Sequence, residues 1–271
     1  MKTKLRAYRF HTSRAMGRAV LLVLAGLLCL AGQARGEEIR VMTSGGFAAP
    51  FSEVVPEYER ASKNRVVTIN GASMGDAPDS IPMRLGRGEP ADVVILTSGA
   101  LDELIRQGKV RSGSRVDLVR SGIGMAVRAG APQPDISSVE ALVRALLAAK
   151  SIAYSSSASG VYLSTKLFPR LGIAEQVKSK SQRIVSERVG AVVARGDAEI
   201  GFQQISELLP IPGLDYVGPL PPEAQEITVF SAGVAANSKN PEAARALIEF
   251  LASPAVAPAI RKAGLDPVAS R

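Results

Sequence analysis

The chain has 271 residues, with 33 Lys+Arg against 25 Asp+Glu, one His and one Cys. Seven of the basic residues, none of the acidic ones, and both His11 and Cys29 fall within the first 36, so the rest of the chain is close to neutral and carries no imidazole or thiol. That composition excludes Ser-His-Asp triads, cysteine nucleophiles, zinc sites and His-based acid–base chemistry beyond residue 36, and it removes the electrostatic case for a nucleic-acid partner.

In chain order, Lys2, Lys4, Arg6, Arg9, Arg14 and Arg18 precede an uncharged apolar run from Ala19 to Ala31, and Gly32, Ala34 and Gly36 follow. Basic, then apolar, then small is the order of a secretory signal peptide. The run of 13 is shorter than the roughly 20 residues of a bilayer-spanning helix. Residues 1–36 are expected to be removed after Ala34 or Gly36, leaving a mature protein in the periplasm. Leu28 before Cys29 speaks against a lipid anchor, and an uncleaved membrane anchor is the alternative.

Strand and helix patterns then alternate. Ile39–Thr43 reads as a strand, and a helix from about Phe51 to Ala61 is bent or restarted at Pro56, which lacks an N–H. Val66–Ile69 is a strand, followed by a polar loop and a helix ending near Gly86. The apolar run Ala91–Leu96 has the character of a strand buried on both faces. A helix over Ser98–Gln107 takes Ser98 as its cap, and strands follow at Val116–Val119 and Gly122–Val127. Ser137 or Ser138 caps a helix to about Ala149. Ile152–Tyr154, Arg183–Val185 and Glu199–Phe202 are strands, with helices over Val161–Leu171, Val189–Arg195 and Gln203–Leu209. Gln225 reads as a surface-turn residue, Glu226–Ala235 as a strand, and two helices close the chain at Pro241–Ala252 and about Pro254–Ala263. The alternation is that of an α/β protein with parallel sheets.

Several segments in this order resemble a periplasmic solute-binding protein of the molybdate-binding type: Ile39–Phe47, Gly88–Ile95, Ser155–Tyr162, Ala194–Gln204 and Ala243–Gly264. The resemblance implies the two-lobe periplasmic-binding-protein fold (type 2), with a ligand cleft between lobes joined by two crossover strands near Ser121–Val127 and Ile227–Gly233. Lobe one would comprise residues 37–120 and 233–271, and lobe two residues 121–232. It further implies a monomer with a small anionic ligand, no metal, no cofactor and an ABC permease of the inner membrane as partner.

The residues themselves support an anion cleft. In open α/β sheets, ligands sit beyond the carboxyl ends of strands, where helix N-termini offer free N–H groups and partial positive charge. Small polar loops stand there: Thr43, Ser44, Gly45 and Gly46; Ser73 and Met74; Ser155, Ser156, Ser157, Ser159 and Gly160, with Tyr162 beyond; and the pair Gln203 and Gln204. Glu187 and Arg188 precede a helix whose N-terminus should face the cleft, and an Arg there can grip a carboxylate through two parallel bonds. Three positions depart from the molybdate pattern. Gly46 stands where the first loop brings a Ser, the longer Ala72–Pro82 replaces a Ser run, and Gln204 replaces a Tyr. An organic carboxylate is therefore expected rather than molybdate.

The leading functional expectation is capture of a small anion for an ABC importer. The alternative is a periplasmic isomerase of the aconitate isomerase type on the same scaffold, shifting a proton next to a carboxylate. Its base would be Glu187 or Tyr154, with Arg188 as substrate clamp and Ser155–Ser157 stabilising the enolate. A sensor subunit is a further possibility.

Overall fold

The computed structural model describes residues 36–268; of the expected leader only Gly36 is among them, and His11 and Cys29 lie outside. The strands are β1 (Glu38–Thr43), β2 (Arg65–Asn70), β3 (Val93–Thr97), β4 (Val116–Ser121), β5 (Ile123–Arg128), β6 (Ile152–Ser155), β7 (Ser181–Ile184), β8 (Ile200–Gln204), β9 (Leu214–Pro219), β10 (Thr228–Val234) and β11 (Asp266–Pro267). The helices are α1 (Gly45–Ser62), α2 (Ile81–Gly86), α3 (Ser98–Arg106), α4 (Val139–Ala148), α5 (Ala158–Tyr162), α6 (Ala174–Lys178), α7 (Val189–Arg195), α8 (Ile205–Leu208), α9 (Pro241–Leu251) and α10 (Ala257–Lys262). A π segment over Leu163–Leu167 carries α5 on to Phe168–Arg170.

Two sheets form, in the orders β11-β4-β10-β3-β1-β2 and β7-β6-β8-β5-β9. They are mixed, not parallel as the alternation suggested. β10 lies antiparallel to both β3 and β4, and β5 antiparallel to both β8 and β9. The reason is local. Parallel neighbours need a crossover connection such as a helix, but β5 follows β4 across Gly122 alone, β10 arrives from the other sheet, and α4 leads from β5 into β6, which runs opposite to β5. These two strands enter their sheets from the opposite end. β9 and β11 carry no clear strand pattern in the sequence and are held by pairing alone.

Both faces of the first sheet are covered. Ile39, Val41, Val93 and Ile95 pack with Phe47, Phe51, Leu247 and Ile248 of α1 and α9, while Met42, Val94 and Leu96 pack with Leu85, Leu101 and Leu104 of α2 and α3. Alternate residues of one strand serve opposite layers, which is why the β3 run is uniformly apolar. The second sheet does the same, with Leu142, Leu146, Leu163 and Leu167 on one face and Val189, Val192 and Val193 on the other.

α1 begins at Gly45, earlier than expected, and runs unbroken through Pro50 and Pro56. Phe47, Phe51, Val54 and Tyr58 recur at helical spacing on its buried face, and that packing outweighs the missing backbone bonds. Pro50 also frees the Gly46 carbonyl from its i+4 partner. That carbonyl instead accepts a hydrogen bond from Ser206 Oγ at 2.8 Å, next to the second sheet. Gln225 is not a simple turn residue. Its Oε1 accepts from the Ile123 N–H at 2.8 Å and its Nε2 donates to the Ile123 carbonyl at 2.9 Å, so one side chain clasps the outgoing and returning connections between the sheets.

Candidate functional site

The carboxyl ends of β1, β3, β6, β7 and β8 open on a common cavity of about 300 Å³ between the two sheets. From the first sheet come Ser44, Gly45 and Gly46 after β1, Asn70–Ser73 after β2 with Asp79 further along the same loop, and Thr97 closing β3. From the second come Ser155–Ser159 after β6, Ile184–Arg188 after β7, and Gln203, Gln204 and Glu207 at the β8–α8 junction.

The first-sheet wall is neutral apart from Asp79. Ser44 and Thr97 are the N-caps of α1 and α3, and neither side chain caps its own helix. Thr97, not Ser98, takes the cap position. Both hydroxyls are buried without a hydrogen-bond partner, an arrangement that costs about 1–3 kcal/mol per group unless something fills it. Ser73 does not share this freedom, because its Oγ accepts from the Thr97 N–H at 3.2 Å. Gly45 and Gly46 are required by close approach. A Cβ on Gly45 would stand 2.0 Å from Glu207 Oε1, and one on Gly46 would stand 2.1 Å from the Phe230 ring.

The second-sheet wall carries the ionisable groups. Gln203 is buried and spoken for at both ends: Oε1 accepts from the Val189 N–H at 3.1 Å, and Nε2 donates to Glu207 Oε1 at 3.0 Å. Glu207 is enclosed by both walls with one side open to the cavity. Burial pushes its carboxyl up to about 7, against the opposing effects of the Arg188 charge and the Gln203 hydrogen bond. Gln204 donates to Thr228 Oγ1 at 3.1 Å and leaves its own Oε1 buried and unpartnered. Arg188 is exposed at the N-cap of α7 and is the one cation among the lining residues described.

Most of the expected site residues meet here: Ser44, Gly45, Gly46, Ser73, Ser155, Ser156, Ser157, Ser159, Glu187, Arg188, Gln203 and Gln204 all line the cavity. Thr43, Met74, Tyr154, Gly160 and Tyr162 do not. The Thr43 carbonyl accepts from the Gly71 N–H and ties two loops together. Tyr154 packs edge-on against Phe168 with ring centroids 6.0 Å apart. Gly160 lies so close to Ser155 that a Cβ would meet its carbonyl. Tyr162 is buried and donates to the Ala224 carbonyl at 2.9 Å. Glu187 lines the rim, but its carboxylate is held by Arg195 at 2.9 and 3.2 Å. Gln203 and Gln204 end β8, and Gln204 is the N-cap of α8, which starts at Ile205 and not at Gln203. Sequence reasoning missed Thr97 and, above all, Glu207. The available signal was spacing: a carboxylate four residues after Gln203 falls in the first turn after a strand end, where side chains lean back toward the helix N-terminus.

Residues 39–266 match the model of the family described as bacterial extracellular solute-binding protein. The chain belongs to that family. Among its relatives, it is 49% identical to an aconitate isomerase of Pseudomonas sp. over 247 residues, covering 91% of this chain and 94% of that protein. It is 26% identical to the molybdate-binding protein ModA of Azotobacter vinelandii, covering 93% and 98%. The solved periplasmic molybdate-binding protein of Azotobacter vinelandii superimposes with a TM-score of 0.68 at 19% identity, over 86% of this chain and all of that one. The fold is thus the two-lobe periplasmic-binding-protein fold with a cleft between its lobes.

Proposed function

We propose that this solute-binding family member is an exported isomerase that interconverts cis- and trans-aconitate, the reading that ranked second on sequence. The observation that carries it is Glu207, a carboxyl that burial pushes up to about 7 in a cleft it shares with Arg188 and the buried hydroxyls of Ser44 and Thr97. A general acid–base group works best when its pKa lies near the working pH. The 49% identity to an aconitate isomerase supports the same reading.

Aconitate carries three carboxylates on a propene skeleton. Moving a proton from its CH2 to the alkene carbon at the other end, with the double bond shifting between them, converts one isomer to the other. One C–H bond breaks, one forms, and the composition is unchanged. Glu207 takes and returns the proton. Arg188 grips one carboxylate, the Ser44 and Thr97 hydroxyls receive another, and donors of the Ser155–Ser157 loop stabilise the enolate charge. Closure over the substrate turns on the two connections at Gly122 and residues 220–227, clasped by Gln225. In this reading the lobes part at those connections, and residues 1–36 direct export to the periplasm.

The test is direct. Purified mature protein mixed with cis-aconitate is followed by proton NMR, and appearance of trans-aconitate at a rate proportional to protein supports the reading. Tight binding of aconitate or another tricarboxylate without turnover would instead favour the second reading, delivery of a small anion to an ABC permease, which rests on the family and the ModA relative.

A further inference from the structure

Both ends of the Gln203 side-chain amide are hydrogen-bonded within the protein. Its amide is buried, its orientation is fixed by the Val189 N–H, and its NH2 group consequently faces Glu207. Val189 is the first residue of α7 and follows Arg188 directly. One amide therefore ties the backbone that carries the cleft's cation to the carboxylate that faces the cavity.

We infer that Gln203 is a positioning residue for proton transfer, holding the ionised Glu207 carboxylate against Gly45 and at a fixed offset from Arg188. The inference rests on the isomerase reading for its chemistry, but the contact itself does not. The surroundings leave the amide few rivals. On α7 the charged group acting on Glu207 is Arg188. α1 presents only Ser44, Gly45 and Gly46, β8 presents the two Gln side chains, and β5 and β9 place no residue in the cavity. A donor that favours the charged form lowers a carboxyl's proton affinity. Gln203 thus offsets part of the burial that pushes Glu207 up.

Two variants separate positioning from mere support. Gln203→Met keeps the volume and removes both hydrogen bonds. Gln203→Glu keeps an acceptor for the Val189 N–H but replaces the donor with a second carboxyl. The Glu207 midpoint is read by carbon-13 NMR of the side-chain carboxyls in the mature protein without substrate, assigned by its loss in Glu207→Gln. Both variants should raise the midpoint by about half a pH unit or more, move the acid limb of the kcat/KM profile the same way, and lower kcat about tenfold or more with a smaller change in KM. Recovery of the wild-type midpoint and profile in Gln203→Glu would reduce Gln203 to a backbone support and overturn the inference, as would an unchanged midpoint in both variants. A raised midpoint in a protein that never converts aconitate sinks the isomerase reading alone and leaves the hold of Gln203 on Glu207 intact.

Discussion

The two walls of the cleft are built from the same kind of strand-to-helix junction yet offer different chemistry. The wall after β1 and β3 presents hydroxyls and helix N-termini, with Ser44 and Thr97 buried and unpartnered. The wall after β7 and β8 presents a cation and a carboxyl, linked through Gln203. A neutral donor wall suits recognition of anionic groups already formed. A wall with a carboxyl that titrates near 7 suits moving a proton. The difference comes down to one side chain, Glu207, which reaches across the cleft to Gly45 of the facing wall.

The comparison breaks first, and most severely, at Glu207. Glu207→Gln should lower aconitate turnover by about 100-fold or more, within the usual contribution of a general base, while calorimetry finds aconitate still bound. The same variant reports on stability. Because the folded carboxyl titrates above its unfolded value of 4.5, its contribution is fully present below about pH 4.5 and is lost as pH rises through about 7. Thermal melts should show the wild type losing stability over that window relative to Glu207→Gln, by up to about 3 kcal/mol at pH 8, since a tenfold difference in proton affinity between the folded and unfolded chain is worth about 1.4 kcal/mol.

Arg188→Ala should weaken tricarboxylate binding by about 1.5–3 kcal/mol, the range for hydrogen bonds to charged groups. Arg188→Lys should restore only part of it, because an ammonium lacks the planar fork. An unchanged calorimetric affinity in Arg188→Ala would move anion recognition wholly to the neutral wall.

Thr97→Val tests that neutral wall, and it should act in opposite directions on the two observables. Removing a buried, unpartnered hydroxyl should raise the melting temperature of the free protein, while affinity for the tricarboxylate falls by about 1 kcal/mol. A loss of stability would mean that the hydroxyl already has a partner in the unliganded protein.

The smallest effect belongs to Glu187→Gln. Its carboxylate is exposed and paired with Arg195, and exposed pairs contribute about 0–1 kcal/mol. Turnover should stay within about threefold of wild type. A collapse of activity would return the base to Glu187, which with Tyr154 was one of the two candidates in the sequence, and would leave Glu207 without a role.

Much was legible in the sequence because it depends on local pattern. The apolar run at Ala91–Leu96 had to contain a strand covered on both faces, Ser137 or Ser138 had to cap a helix, with the bond from the Ala141 N–H selecting Ser138, and the Ser/Gly loops had to follow strand ends. Collinear resemblance gave the two-lobe fold. What sequence could not provide was anything set by approach between distant segments. Glu207 reads as an ordinary first-turn carboxylate until Gly45, 162 positions earlier in the chain, packs against it and shields one side from water. Thr97 falls between a strand ending at Leu96 and a helix starting at Ser98 until its hydroxyl is left buried beside the cavity. Gln225 reads as a turn until its amide meets both polar groups of Ile123. The sequence by itself determined the elements, their faces and the composition of the cleft, because propensity and periodicity act over a few residues. Only the tertiary structure decided strand direction at β5 and β10, which carboxylate is enclosed and which is paired to an Arg, because desolvation and pairing depend on what the folded chain brings within a few ångströms.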